Sequence, residues 1–127
     1  MTKKSSKDLL EAVETLIGQN AVIEGDIKTD KVVRIDGKLN GNIDAAGILI
    51  GSDGTVSGSI KTEVILIGGL IKGNIFASES IEILPKAKVF GDIHTNLLTI
   101  AEGALFEGKS SMISDKEPNA NNGAQKK

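Results

Sequence analysis

The 127-residue chain has no cysteine, tryptophan or tyrosine, a single histidine, two prolines and three phenylalanines. Without cysteine there are no disulfides, no thiolate zinc sites and no thiol nucleophile, which suits a reducing compartment. One histidine leaves no set of imidazole ligands within one chain. Sugar subsites and base-stacking platforms both lean on aromatic side chains, so their scarcity argues against either. Neither sign of charge dominates: 15 Lys+Arg stand against 17 Asp+Glu, a net charge of −2. A nucleic-acid binder shows a basic excess or patch, so no nucleic-acid partner is expected. No uncharged run exceeds ten residues, against the ~18 or more a membrane span needs. Met1 to Lys7 is basic, but no apolar stretch of a signal peptide follows it. These absences predict one cytoplasmic domain, attached to a membrane at most peripherally.

Glycine is abundant, at 15 residues, and it marks a repeat. The pattern apolar–x–Gly–x–apolar occurs at Ile23–Ile27, Leu39–Ile43, Val56–Ile60, Ile71–Ile75 and Val89–Ile93. A sixth copy at Phe106–Ser110 loses its last apolar residue. The glycines are spaced 16, 17, 15, 18 and 17 residues apart. Aligned on them, every copy carries an isoleucine upstream: Ile17, Ile35, Ile50, Ile67, Ile83 and Ile100. Two residues before these stand Thr15, Val33, Ile48, Ile65, Ile81 and Leu98. Four residues before each glycine is a small residue: Ala21, Gly37, Gly54, Gly69, Ala87 or Ala104. Within a copy, apolar and polar residues alternate with period two and β-branched residues prevail, which reads as strand. No single copy can bury its own apolar residues, but stacked copies can, like residue over like residue about 4.8 Å apart. The fold predicted is all-β: a single-stranded parallel β-helix of about six coils over residues 15–112, roughly 29 Å long at that spacing. The small residues fit a corner, and the repeated glycine fits a second corner of close backbone approach. An antiparallel sandwich would also be rich in short strands, but it does not require residue identity to match at one phase in six copies.

The flanks differ in composition. Residues 113–127 contain one large apolar residue, Ile113, at their start, and Ser114–Lys127 contain none; they are expected to be disordered. Residues 1–14 carry Ser5 and Asp8 as a weak capping pair, and Leu9, Val13, Leu16 and Ile17 share one helical face with Leu10 beside it. Two readings are open: a short helix or loop covering the first coil, or a membrane-surface anchor in which Leu9, Leu10 and Val13 insert while Lys3, Lys4 and Lys7 face anionic lipid. Asp8, Glu11 and Glu14 weigh against the anchor.

Candidates for chemistry are few. His94 could act as a base between coils, as in β-helical acyltransferases, but those enzymes have strict hexapeptide repeats and His94 lies at a polar turn. The carboxylates are scattered singly on outward positions: Glu24, Asp26, Asp36, Asp53, Glu82, Asp92, Glu102 and Glu107. Gly68–Gly69 does not continue into a calcium repeat, threonines form no flat column, and no phosphate-binding loop is present. The chain reads as a non-enzyme without cofactor or metal.

A β-helix has two ends, each with unpaired strand backbone and an apolar rim, and solenoids ordinarily close them with polar caps. Here the last coil holds Leu98, Ile100, Leu105 and Phe106, and the first holds Ile17 and Ile23. Apolar ends predict end-to-end self-assembly through these six residues. Together with Thr15–Gly18 and the recurring Gly–x–Ile, this pattern resembles the bactofilins, polymer-forming bacterial cytoskeletal proteins. The resemblance implies a right-handed, triangular β-helix that stacks into filaments without nucleotide. It also implies scaffolding at the inner face of the cell envelope, with cell-wall enzymes as partners and cell shape as the outcome. A monomeric β-helical adaptor using an outer face is the alternative reading.

Overall fold

The computed structural model describes residues 13–112. They form a parallel β-solenoid of six coils, with no helix among the described residues. The first coil contains β1 (Val13–Ile17), β2 (Val22–Glu24) and β3 (Ile27–Lys28). The second contains β4 (Val32–Ile35), β5 (Lys38–Asn40) and β6 (Ile43–Asp44). The third begins with β7 (Gly47–Ile50) and β8 (Thr55–Ser57), and β9 (Ile60–Ile67) runs round a corner into the fourth. β10 (Leu70–Lys72) follows, and β11 (Ile75–Ile83) again crosses between coils. The fifth ends with β12 (Lys88–Phe90) and β13 (Ile93–Thr95), and the sixth consists of β14 (Leu98–Ile100), β15 (Leu105–Glu107) and β16 (Ser110–Met112).

Each coil thus has three sides. Because β9 and β11 are continuous through one corner, two of the walls merge into a ten-stranded sheet, and the other is a six-stranded sheet. All pairings within these sheets are parallel and join each coil to the next. The isoleucine column is in register from Ile17 through Ile35, Ile50, Ile67 and Ile83 to Ile100. The second wall aligns Ile23, Leu39, Val56, Ile71, Val89 and Phe106. The third aligns Ile27, Ile43, Ile60, Ile75, Ile93 and Ser110. The inward residues of the middle coils are almost wholly buried in one continuous core. At about 25 cal/mol per Å2 of apolar surface removed from water, this single-file column of branched side chains is the main stabilising term.

The corners explain the uneven copy lengths. Ala21, Gly54, Ala87 and Ala104 close four-residue turns, their N–H groups donating to the carbonyls of Gly18, Gly51, Leu84 and Ala101 at 2.8–3.1 Å. Gly37 and Gly69 sit in shortened versions, only two residues after Ile35 and Ile67. At the glycine corner, Gly25, Gly41, Gly58, Gly73, Gly91 and Gly108 all have φ between 141° and 154°. A third corner, not distinguished in the sequence, carries buried Ala45, Thr62, Ala77 and Thr95. The Thr62 and Thr95 hydroxyls donate to the carbonyls of Val64 and Leu97 across that bend. The register shift between Ala77 and Ser80 absorbs extra length in this corner of the longest copy.

The beginning of the chain requires a correction. Val13, expected on a helical face of the N-terminal segment, lies instead in strand β1 and pairs with Val32. Alternation of Val13, Thr15 and Ile17 matches a strand as well as the other spacing matches a helix, and a neighbouring strand decides the matter. Lys3, Lys4, Lys7, Leu9 and Leu10, and the expected disorder of residues 113–127, lie outside the described residues.

Candidate functional site: the two open ends

The solenoid walls are built from strands whose partners lie one coil before and one coil after. In the middle coils both partners exist. In the first and last coils one side of every strand has none among the described residues, so backbone groups and core side chains face outward along the axis.

Exposure follows this geometry. Of the eight large apolar side chains that are exposed among the described residues, seven are in the first or last coil, namely Leu16, Val22, Ile23, Leu97, Ile100, Leu105 and Met112. Of these, Ile23, Ile100 and Met112 belong to inward columns, whereas Leu16 and Val22 register with Arg34 and Lys38 on the outer face. At the C-terminal end, Phe106 and Leu98 are half-buried and pack on the core from above, while Ile100 is 41% exposed. Their column partners one coil below, Val89, Ile81 and Ile83, are at most 1% exposed. The rim is therefore the cross-section of the core, cut open. Phe106 replaces the smaller aliphatic residues of its column and projects a ring where no coil lies above. Met112 ends the corner column of alanines and threonines with a long side chain that is 55% exposed.

At the N-terminal end, Ile23 is 37% exposed and Ile27 is half-buried. Two expected interface residues have other positions. Ile17 is only 7% exposed and belongs to the core. Leu105 pairs with Lys88 and points out of the second wall, so it flanks the rim without forming it.

The electrostatics of the ends are mild. One ion pair occurs among the described residues, Arg34–Asp36 at 3.0 Å, and it is partly exposed on the second coil. Pairs of that kind contribute little to stability. Two carboxylates expected to be merely solvated, Asp26 and Asp92, have structural roles in a ladder shared with asparagines. Asp26 and Asn42 each accept the backbone N–H of the equivalent residue in the next coil, Asn42 and Ser59, at 2.9 Å. Asn74 and Asp92 do the same for Asp92 and Lys109 at 3.2 Å. This ladder follows the glycine corner and stops at Lys109, whose side chain is no acceptor. Period two hides it, because Asp and Asn at outward positions look like ordinary surface polarity.

His94 is exposed on an outer wall with its ring 6.3 Å from that of Phe76 and with Ser111 in register beside it in the last coil. Among the described residues no group of three or more His, Asp or Glu is placed to hold a metal ion.

Residues 15–111 match the family described as "Bactofilin: Polymer-forming cytoskeletal". Among characterised proteins, the chain is 35% identical over 99 residues to bactofilin BacO of Myxococcus xanthus, covering 77% of this chain and 79% of BacO. It is 30% identical over 105 residues to bactofilin BacP of the same organism, covering 82% of this chain but only 43% of BacP. Two solved structures share the fold. The Thermus thermophilus bactofilin, determined by cryo-EM as double helical filaments, superposes with a TM-score of 0.74 at 27% identity, over 78% of this chain and 99% of that one. The cytoskeletal bactofilin BacA, determined by solid-state NMR, gives 0.71 at 27% identity, over 79% and 96%. A six-coil solenoid with open apolar ends, matched across its whole length, places the chain in the bactofilins, a family of polymer-forming cytoskeletal proteins.

Proposed function

We propose that this chain polymerises end to end, coil upon coil, into filaments that need no nucleotide, and that it serves as a scaffold at the inner face of the cell envelope for cell-wall enzymes and cell shape. The observation that carries the reading is the opening of the core columns at the two ends, where Ile23, Ile100 and Met112 are exposed while their column partners one coil inward, Leu39, Ile83 and Thr95, are fully buried. Burying two such rims against each other recovers about 1.5–3 kcal/mol for each fully covered large side chain. Family membership and the filament form of the Thermus relative support the same reading.

Attachment to the envelope rests on the N-terminal segment, with Lys3, Lys4 and Lys7 toward anionic lipid and Leu9 and Leu10 toward the acyl chains. One short segment of this kind binds weakly, but many along one polymer act together through effective concentration. Because Val13 and Glu14 belong to β1, a deletion that tests attachment ends at Ala12.

The test of assembly is Phe106→Arg, which sets like charges at the C-terminal rim while the five preceding coils remain stacked. Electron microscopy and high-speed sedimentation are expected to show no filaments, with an unchanged β-type circular dichroism spectrum. Filaments of full length from this variant would remove the C-terminal end from the mechanism. The adaptor reading requires that the parent protein stay in the supernatant.

A further inference from the structure

The first wall is apolar on both of its surfaces. Val33, Ile35, Ile48, Ile50, Ile65 and Ile67 point inward, so Val32, Leu49 and Val64 point outward, because successive side chains of a strand alternate. These three nevertheless have only 2%, 7% and 8% of their surface exposed, and they form a hydrophobic cluster separate from the core. Val13 and Leu66 pack on it as partly buried neighbours. Every strand among the described residues belongs to the solenoid wall, so the wall itself supplies no second layer over this cluster.

The chain enters the cluster from one side. Val13, its edge member in the first coil, is the first described residue, and Ala12 adjoins it. From Val13 the cluster extends along the axis through the second and third coils to Val64 and Leu66 in the fourth. Three coil spacings amount to about 14 Å. An extended chain spans up to about 3.3–3.6 Å per residue, so Leu10 and Leu9, three and four residues before Val13, reach about 10 and 14 Å. Their range matches the length of the cluster, and they are the large aliphatic side chains of the preceding segment.

We propose that the outer surface of the first wall, centred on Val32, Leu49, Val64 and Leu66, is a docking site for the chain's own residues 1–12, with Leu9 and Leu10 as the anchors. The same two leucines then serve either the solenoid or a lipid surface, and not both at once. This consequence rests on the attachment reading given above: docking withholds the segment, and membrane binding withdraws it.

The absence of cysteine permits a clean test in the full-length chain. Leu10→Cys combined with Leu66→Cys places two thiols within bonding reach only if the segment lies on the wall, since a disulfide needs Cα atoms within about 7 Å. Leu10→Cys combined with Thr55→Cys, on the second wall, is the control. The expected result is an intrachain disulfide that forms at least tenfold faster in the first pair, measured by mass under mild oxidation with a mass-tagged copy mixed in. Equal rates in the two pairs overturn the proposal, as does a disulfide that joins tagged to untagged copies. A second measurement separates docking from attachment: the oxidised Leu10–Leu66 pair is expected to lose co-sedimentation with phosphatidylglycerol vesicles and regain it on reduction. If the disulfide forms but the reduced protein does not bind the vesicles, docking stands and membrane attachment fails.

Discussion

Gly73 shows how a single residue holds a coil in place. Its φ is 143°, and a Cβ added there would run into the carbonyl of Gly58 in the coil below, with the Gly58 nitrogen 3.2 Å away. The obstruction is backbone of a paired coil and has no rotamer by which to move aside. Gly73→Ala therefore combines a backbone conformation open essentially to glycine alone with a steric clash, for a loss of about 3 kcal/mol or more. In a domain of this size that lowers the melting temperature by more than about 10 °C. The measurement belongs in a Phe106→Arg background, so that assembly does not mask unfolding. Lys86 carries the opposite expectation. It follows Pro85 in a turn closed by the Ala87 N–H on the Leu84 carbonyl, and its φ is 75°, the one positive value outside glycine among the described residues. That position of a type II turn favours glycine. Lys86→Gly removes about 1 kcal/mol of left-handed strain and loses part of it to the greater freedom of the unfolded chain. A net gain of about 0.5 kcal/mol is expected, seen as a rise of a few degrees in the same melt. A fall would mean that the Lys86 side chain contributes more than its backbone costs.

The strand is where the sequence was most informative. Parallel stacking sets like residues directly over one another, so the isoleucine column, the column two residues before it and the small-residue corner could all be aligned without coordinates. The structure pairs them as aligned. Ile67→Asp tests the consequence. Ile67 is fully buried between Ile50 and Ile83, so the carboxylate has no polar partner and the cost is several kcal/mol. A variant that melts like its parent would show that the column faces solvent. Three features were not legible for reasons of the same physics. Val13–Ile17 fits both a two-residue and a 3.6-residue period, and only the neighbouring strand selects between them. The outer cluster of Val32, Leu49 and Val64 breaks the alternation, but beside Val33, Ile48 and Ile65 it reads as part of a continuous apolar strand. The corner of Thr62 and Thr95 is hidden because its column mixes alanine and threonine, so that size is kept while chemical identity is not.

At the scale of the whole molecule, the proposed end-to-end assembly can join the rims in two ways. The two rims differ: Phe106, Leu98 and Ile100 form one, and Ile23 and Ile27 the other. If like ends meet, Phe106 packs on its counterpart across a two-fold axis and joints of two kinds alternate along the filament. Blocking one kind then leaves the other intact. Phe106→Arg alone is expected to give dimers joined through their first coils, and Ile23→Arg alone to give dimers joined through their last coils. In a head-to-tail filament every joint uses one rim of each kind. Either variant alone would then be monomeric, and an equimolar mixture would form a dimer capped at both ends, because each variant supplies the rim that the other lacks. Sedimentation velocity of the two variants, singly and mixed, separates these patterns. The like-end arrangement is the expected one, since the large ring of Phe106 fills the space over a joint most completely when a second ring faces it, and the smaller Ile23 does not replace it. Dimers from each variant alone, unchanged on mixing, are the predicted outcome, and they should persist in 1 M salt, where the Debye length is about 3 Å and only apolar burial still holds the joint.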